Sequence, residues 1–175
     1  MNMNEVILVD ENDNQVGVME KMEAHVQGVL HRAFSIFLFN GSGQVLMQRR
    51  ALAKYHSPGL WTNTCCSHPM EGESVEEAAN RRLMEEMGMA CIMVKVFDFI
   101  YKAHLDNNLV EHEFDHVFFG TTNESPSINQ DEVVEWKWMS LHDVYIDVQL
   151  HPEHYTEWFK IALPLVMKHY KIGLS

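Results

Sequence analysis

The strongest constraint on the fold is one capped helix set between stretches of β-forming residues. Ser74 and Glu77 form a capping box, in which each side chain accepts a hydrogen bond from the other residue's backbone amide. Gly88 is suited to a left-handed stop, so we expect the helix to run to about Met87. Apolar runs of strand length lie on both sides of it. This interleaving predicts an α/β (α+β) protein, an α/β/α sandwich with a mixed sheet.

The β-forming runs predict where the strands of that sheet lie. We expect strands at residues 6–9, 16–21, 33–39, 44–50, 93–104, 110–121 and 133–139. Turn residues at 40–43 predict a hairpin between the third and fourth strands, and residues 106–108 predict another. We expect closing helices at 141–149 and 153–170, with a kink or break at Pro164.

The composition is that of an ordinary soluble domain, with 46% hydrophobic and 22% charged residues. A chain of 175 residues is long enough for one domain, so we expect residues 1–175 to form a single one. No apolar run approaches the roughly 18 residues needed to cross a bilayer. The first residues lack a basic segment followed by an apolar stretch, so we expect no secretory signal and a cytoplasmic location.

The net charge of −12 opposes binding to nucleic acid or to an anionic membrane, and we expect neither as a partner. An anionic ligand would need a local group of cations or a recruited metal ion. Several cations do fall within one stretch of the chain, residues 49–82: Arg49, Arg50, Lys54, Arg81 and Arg82. The three cysteines form no disulfide framework, which favours reduced thiols.

Residues 65–88 bring a thiol, an imidazole and paired carboxylates close together along the chain. Cys66 can move a proton or attack, and His68 can bind a metal ion. Glu85 and Glu86 lie in the last helical turn, where the helix dipole disfavours negative charge and a bound cation would reverse the penalty. The alternative is a solvated helix face, because the same helix carries opposite charges at i,i+4 spacing.

Residues 72–89 resemble the Nudix box, a loop and helix that bind divalent cations on diphosphate substrates. The matching residues are Glu73, Arg81, Leu83, Glu85, Glu86 and Gly88. Two positions depart from the pattern. Ser67 stands where the box usually begins with Gly, and Arg82 stands where the hydrolases carry a Glu directly after the Arg. Without that carboxylate the metal cluster for pyrophosphate hydrolysis is weakened, so the resemblance implies a Nudix fold with different chemistry.

Most of the chain resembles the type 1 isopentenyl-diphosphate isomerases, a family of Nudix-fold enzymes. The matching blocks are residues 24–25, 31–35, 49–54, 58–63, 66–69, 101–103 and 110–113. The resemblance implies interconversion of isopentenyl and dimethylallyl diphosphate in isoprenoid biosynthesis, by protonation and deprotonation through a carbocation-like intermediate. The alternatives are a Nudix hydrolase of a nucleoside diphosphate derivative, disfavoured by Arg82 and by the Cys66–His68 pair, and a non-catalytic metal-binding module.

The resemblance also assigns metal and diphosphate ligands. It implies one Mn²⁺, Zn²⁺ or Mg²⁺ ion held by His25, His31, His68, Glu111 and Glu113, a mixed nitrogen and oxygen set that suits such ions. Glu86 would help to hold Mg²⁺ on the substrate diphosphate. The implied diphosphate contacts are Lys21, Arg50, Lys54 and Arg82.

The implied proton-transfer pair is Cys66 and Glu113, with Tyr101 tuning the carboxyl side. Which of the two donates is left open. Trp158 would stabilise a cationic intermediate through its ring face, and Trp61 would line the pocket. The partner is a small-molecule diphosphate, and we expect the protein to be a monomer.

Overall fold

The computed structural model of the chain describes residues 4–173. The strands are β1 (Glu5–Val9), β2 (Gln15–Glu20), β3 (His31–Phe39), β4 (Gln44–Arg50), β5 (Trp61–Thr62), β6 (Cys65–Ser67), β7 (Met93–His104), β8 (Val110–Thr121) and β9 (Val133–Ser140). The helices are α1 (Lys21–Gln27), α2 (Val75–Met87), α3 (Leu141–Leu150) and α4 (Glu157–Gly173). Within the described range, the nine strands form one mixed sheet, and the predicted α+β class is confirmed.

Strand β3 lies at the centre of the sheet. It pairs antiparallel with β1 and β6, and parallel with β8 from His31↔Glu113 to Phe39↔Thr121. On the far side of β8, β7 pairs antiparallel over almost its whole length. A parallel pair has no local turn to set its register, so the packing of side chains on both faces of the sheet must do so.

Alternate residues of β3 pack against helices on opposite faces of the sheet. Phe34, Ile36 and Leu38 pack into a core with the apolar side of α2. Phe37 and Phe39 pack on the other face against α3 and α4. These side chains are at most 3% exposed, and the two cores give the predicted sandwich.

Helix α2 has the predicted ends. The Ser74 side chain accepts from the Glu77 amide, and the Glu77 carboxylate accepts from the Ser74 amide. Gly88 ends the helix with φ 61°, in the left-handed region. The helix is therefore fixed locally by its own sequence, while its buried face docks it on the sheet.

One local prediction is met only in part, and others are wrong. The predicted hairpin between β3 and β4 forms, but it pairs only at Phe39↔Val45, after which β4 turns away to pair with β9 and β5. Lys21 does not end a strand but begins α1, which the Glu20 carboxylate caps by accepting from the Glu23 amide. The last helix begins at Glu157 rather than at residue 153, after a 3₁₀ turn at Pro152–His154, and Pro164 lies inside it without a break.

Residues 1–3, on which part of the signal-sequence prediction rests, lie outside the described range. None of the helices within residues 4–173 is both long and apolar enough to cross a membrane.

Gly88 and Gly72 provide a matched test of how α2 is held. Both have positive φ, so an Ala at either position costs roughly 1–2 kcal/mol of backbone strain. A Cβ on Gly88 would lie 2.4 Å from the Ser127 carbonyl oxygen, whereas a Cβ on Gly72 would meet nothing within 4 Å. We expect Gly88→Ala to lower the free energy of unfolding clearly more than Gly72→Ala, measured by denaturant titration. Equal losses would contradict this packing.

Candidate active site

The strand register places three chemically active side chains in one row. His31 on β3 pairs with Glu113 on β8, and Glu113 pairs with Tyr101 on β7. Glu111 and Glu113 alternate along β8, so both side chains point to the same face of the sheet. Helix α1 adds His25, and the sheet thereby builds a cluster from residues far apart in sequence.

A pocket opens beside this row. Of the predicted cation and substrate residues, it is lined by Lys21, Arg50, Lys54, Arg82 and Trp158. Of the predicted acid–base and metal residues, it is lined by Cys66, His68, Glu86, Tyr101, Glu111 and Glu113. His25 and His31 are fully buried behind this surface.

Four of the five predicted metal ligands converge. His25, His31, His68 and Glu113 each offer a ligand atom, and these atoms all lie within 4.8 Å of one another. His68 Nε2 lies 2.8 Å from Glu113 Oε1, and His31 Nε2 lies 3.5 Å from the same oxygen. Burial lowers the pKa of His68 to about 3, which keeps its imidazole in the neutral form that binds metals.

Two of these imidazoles are held ready for a ligand. Nδ1 of His25 lies 2.6 Å from the Lys21 carbonyl oxygen, and Nδ1 of His31 lies 2.8 Å from the Val29 carbonyl oxygen. Their Nε2 atoms are buried and have no hydrogen-bond partner among the described residues. Because a buried nitrogen without a partner is costly, and because backbone carbonyls fix the tautomer of metal-binding histidines, this group fits a divalent cation.

The prediction for Glu111 is only partly met. Glu111 is not one of the four converging residues, and it forms a second group with His25 and His56. The Tyr101 hydroxyl lies between the two carboxylates, 3.0 Å from Glu111 Oε2 and 2.6 Å from Glu113 Oε2. Tyr101 therefore bridges Glu111 to the converging group.

Different surroundings give the two carboxyls different proton affinities. Burial, and then the nearby Glu113 charge, raise the pKa of Glu111 well above its usual value. Burial also acts to raise the pKa of Glu113, but the nearby His31 and the hydrogen-bonded His68 outweigh it and hold that pKa well below the usual value. The surroundings therefore favour the charged form on Glu113 rather than on Glu111.

The thiol of Cys66 is held by a buried polar network that the sequence did not reveal. Its Sγ lies 3.0 Å from Asn63 Oδ1 and 3.3 Å from Ser35 Oγ, and Ser35 donates to Asp115 Oδ2 at 2.7 Å. The Asn63 amide nitrogen donates to two backbone carbonyls, so its oxygen must face the thiol. Burial, and then Asp115, raise the pKa of Cys66, so the thiol stays protonated.

The predicted diphosphate-binding cations share this pocket. Arg82 Nη2 lies 3.4 Å from Glu132 Oε1, and Lys54 pairs with the same carboxylate. Glu132 is a further residue that sequence reasoning missed. Burial and the neighbouring cations Lys54 and Arg50 lower the pKa of Lys21 to about 8. Burial is the larger cause of this lowering, and repulsion between the neighbouring cations is the remainder, which a bound anion would relieve.

Glu86 supplies a separate carboxylate on α2. It is 5% exposed, and its two oxygens accept from Arg82 at 2.6 Å and from Gln48 at 2.9 Å. The side chain of the adjacent Glu85 is 41% exposed, and Glu85 is not among the residues that line the pocket. Of the paired carboxylates, only Glu86 is thus in position to reach a bound ligand.

The two predicted tryptophans differ in position. Trp158 is 4% exposed and lines the pocket, with the Arg50 guanidinium carbon 5.1 Å from its ring centroid. Trp61 is not among the residues that line the pocket. Its ring instead lies under the Lys137 ammonium, with the nitrogen 4.1 Å from the ring centroid.

Tyr55 and His56 line the pocket and were missed from the sequence. Both are in the loop between β4 and β5, directly after the predicted cation Lys54. The one local signal for them was their position in the sequence. A phenol ring and an imidazole directly follow Lys54, a predicted substrate residue, in the same loop.

Comparisons with known proteins agree with this geometry. The NUDIX domain matches residues 29–159. The Isopentenyl-diphosphate Delta-isomerase of Pectobacterium atrosepticum is 48% identical over 171 residues, which cover 98% of this chain and 96% of that protein. The Isopentenyl-diphosphate Delta-isomerase 2 of Photorhabdus laumondii is 52% identical over 155 residues, 89% of this chain and 88% of that protein.

Solved structures show the same fold. A Deinococcus radiodurans protein has a TM-score of 0.66 at 19% identity, covering 87% of this chain and 99% of its own. A MutT protein from Methanosarcina mazei has a TM-score of 0.65 at 18% identity, covering 79% and 94%. The NUDIX match spans more than half of the chain, and the named relatives cover most of it. The chain therefore belongs to the NUDIX superfamily and, within it, to the isopentenyl-diphosphate Delta-isomerase family.

Proposed function

We propose that this protein is an isopentenyl-diphosphate Delta-isomerase, which interconverts isopentenyl and dimethylallyl diphosphate in isoprenoid biosynthesis. The observation that carries the proposal is that one pocket holds two separate proton-transfer groups beside a group of cations. Cys66 is one of them, and Glu113 with Tyr101 is the other. We also propose that residues 1–175 act as one domain, as a monomer in the cytoplasm.

The diphosphate end of the substrate would bind to Lys21, Arg50, Lys54 and Arg82. In a chain with a net charge of −12, this local group supplies the positive potential that an anion needs. Glu86 would hold Mg²⁺ against the diphosphate, because hard cations prefer carboxylate and phosphate oxygens. Its hydrogen bonds to Arg82 and Gln48 keep the carboxylate directed into the pocket.

The hydrocarbon end undergoes two proton transfers. A proton adds to the terminal methylene carbon, a tertiary carbocation-like centre forms, and a proton leaves the carbon on its other side. One proton enters and one departs, so no oxidant or reductant is needed. A thiol and a carboxylate that both line the pocket meet this requirement, with Cys66 on one side of the substrate and Glu113 with Tyr101 on the other.

The ring of Trp158 would stabilise the cationic intermediate. Cation–π attraction contributes about 2 kcal/mol or more when the cation is removed from water. Trp158 is almost fully buried at the pocket wall, which satisfies that condition. Exclusion of water by the same wall would also prevent capture of the cation as an alcohol.

The His/Glu group would hold one divalent cation, Mn²⁺, Zn²⁺ or Mg²⁺, through His25, His31, His68 and Glu113, with Glu111 beside them. When bound, the ion would supply a fixed positive charge next to the Glu113 carboxyl. The protein's own part is to orient the imidazoles through backbone carbonyls and to hold Glu113 through Tyr101.

Turnover of isopentenyl diphosphate in deuterated water, followed by NMR, tests the proposed reaction. We expect dimethylallyl diphosphate to form with deuterium in a methyl group, because solvent-derived hydrogen adds to the terminal carbon. Release of phosphate or pyrophosphate without migration of the double bond would instead support a Nudix hydrolase. No reaction under any metal condition would support a non-catalytic module.

Removal of the thiol should abolish the reaction without unfolding the protein. We expect Cys66→Ala to lower kcat by several orders of magnitude, because one of the two proton-transfer groups is lost. Cys91→Ala is the control, since Cys91 is a free thiol that does not line the pocket, and it should keep near-normal activity. Near-normal turnover by Cys66→Ala, with circular dichroism unchanged, would refute the role of this thiol.

Glu86 and Glu85 allow the Mg²⁺ proposal to be tested with adjacent residues. We expect Glu86→Gln to raise the Mg²⁺ concentration for half-maximal activity at least about tenfold, a typical loss when a metal site is perturbed. Glu85→Gln should change it much less, because Glu85 does not line the pocket, although its carboxylate pairs with Arg82 at 2.6 Å. Assays at a constant low Zn²⁺ concentration keep the His/Glu group occupied. Equal Mg²⁺ requirements in the two variants would contradict the assignment.

A further inference from the structure

Glu132 is an acidic residue set among the cations that are proposed to bind the diphosphate. It is the last residue before β9, and its side chain is 23% exposed. Lys54 Nζ contacts Glu132 Oε2, and Arg82 Nη2 lies 3.4 Å from Glu132 Oε1. Each oxygen of this carboxylate therefore faces one of two cations that the substrate would also need.

Glu132 reaches these cations from outside the pocket. An outer recess adjoins the pocket and shares Lys21, Lys54 and Arg82 with it, whereas Glu132 lines only the outer recess. The volume of the outer recess is ≈ 180 Å³, far more than a single water molecule needs. The carboxylate therefore has space to move away from both cations on the side opposite to the pocket.

The backbone at Glu132 is held at both of its polar groups. Its amide donates to the Asn129 carbonyl oxygen at 2.9 Å, and its carbonyl oxygen accepts from the Ala51 amide at 2.9 Å. The Asn129 amide in turn donates to the Glu86 carbonyl oxygen at 2.9 Å, which ties this loop to the end of α2. Release of the two cations therefore needs only a rotation of the Glu132 side chain between rotamers.

The charge of Glu132 has opposite effects on the free protein and on the protein with a bound anion. Burial acts to raise the pKa of Glu132, but the hydrogen bond and charge of Lys54, and then Arg82, outweigh it and lower that pKa, so the carboxylate is ionised. In the free protein this charge offsets the repulsion between the clustered cations and holds Lys54 and Arg82 in place. When an anion enters, the same charge repels it and competes with it for both cations.

We propose that Glu132 is a built-in competitor of the substrate diphosphate, which occupies Lys54 and Arg82 in the free protein and moves into the outer recess when the diphosphate binds. This inference rests on the proposed function, because it takes these cations as the diphosphate site. Substrate and product share the same charged end, so stronger binding of that end would retain the product as well. Glu132 thus limits the affinity for both and helps the product to leave.

Binding of inorganic diphosphate tests the proposal without turnover. Calorimetry at saturating Mg²⁺ and fixed ionic strength should give a Kd at least about threefold lower for Glu132→Gln than for the wild type, because two ion pairs no longer oppose binding. The matched control is Glu135→Gln, which removes the same charge from a carboxylate paired with Arg49 at 3.4 Å. Glu135 lines neither the pocket nor the outer recess, so this variant should keep the wild-type Kd.

The other outcomes of this experiment would overturn the proposal. An unchanged Kd for Glu132→Gln would show that there is no competition, and a higher Kd would instead assign Glu132 to binding of Mg²⁺. No binding by the wild type or either variant would remove the diphosphate site on which the proposal depends.

A structure of the wild type with bound inorganic diphosphate decides the question if Glu132→Gln does not fold. A Glu132 carboxylate that still contacts both Lys54 and Arg82 beside the diphosphate would overturn the proposal, whereas one that has moved into the outer recess would support it. Turnover of isopentenyl diphosphate by the wild type is measured separately. Absence of isomerisation together with the expected Kd values would count against the proposed reaction and not against the role of Glu132.

Discussion

The parallel pairing of β3 with β8 is the constraint on which the rest of the site depends. It places His31 beside Glu113 and, through β7, Glu113 beside Tyr101. A shift of one residue would turn the carboxylates of β8 to the opposite face of the sheet. Such a shift is prevented because the two faces of the sheet pack into two different cores. It would move apolar side chains from the core that they fit into the other one. The hydrophobic packing therefore fixes the geometry of the polar cluster, whose own interactions would not be enough to set the strand register.

That polar cluster opposes folding unless its charges find partners. Glu111, Glu113 and the two inner histidines are all at most 6% exposed, and burial of ionisable groups without partners is costly. Tyr101, His68 and two backbone carbonyls offset part of the cost, yet two imidazole nitrogens are left without a partner among the described residues. An ion that binds only the folded state would stabilise it by mass action. Stability and function are thus linked at the same residues.

The features that could be predicted from the sequence are those with a local signal. The capping box and Gly88 define α2, and runs of β-forming residues define β3 and β8. The seven-residue α1 was missed because so short a helix depends on packing more than on propensity. Contacts such as Ser35 to Asp115 and His56 to Glu111 were also missed, because they span strands or loops far apart in sequence. The metal ligands were found only because the resemblance supplied their convergence.

The geometry of α2 explains why only one of the two adjacent carboxylates, Glu86, lines the pocket. Successive residues on a helix are about 100° apart, so Glu86 faces inward while Glu85 faces solvent. Arg82 lies one turn before Glu86, on the same face, and binds it at 2.6 Å. A glutamate at 82 would put two carboxylates side by side and draw in another cation, as cleavage of a diphosphate requires. An arginine there instead partly neutralises Glu86 and adds a positive charge, which favours holding the diphosphate while chemistry proceeds at the other end of the pocket.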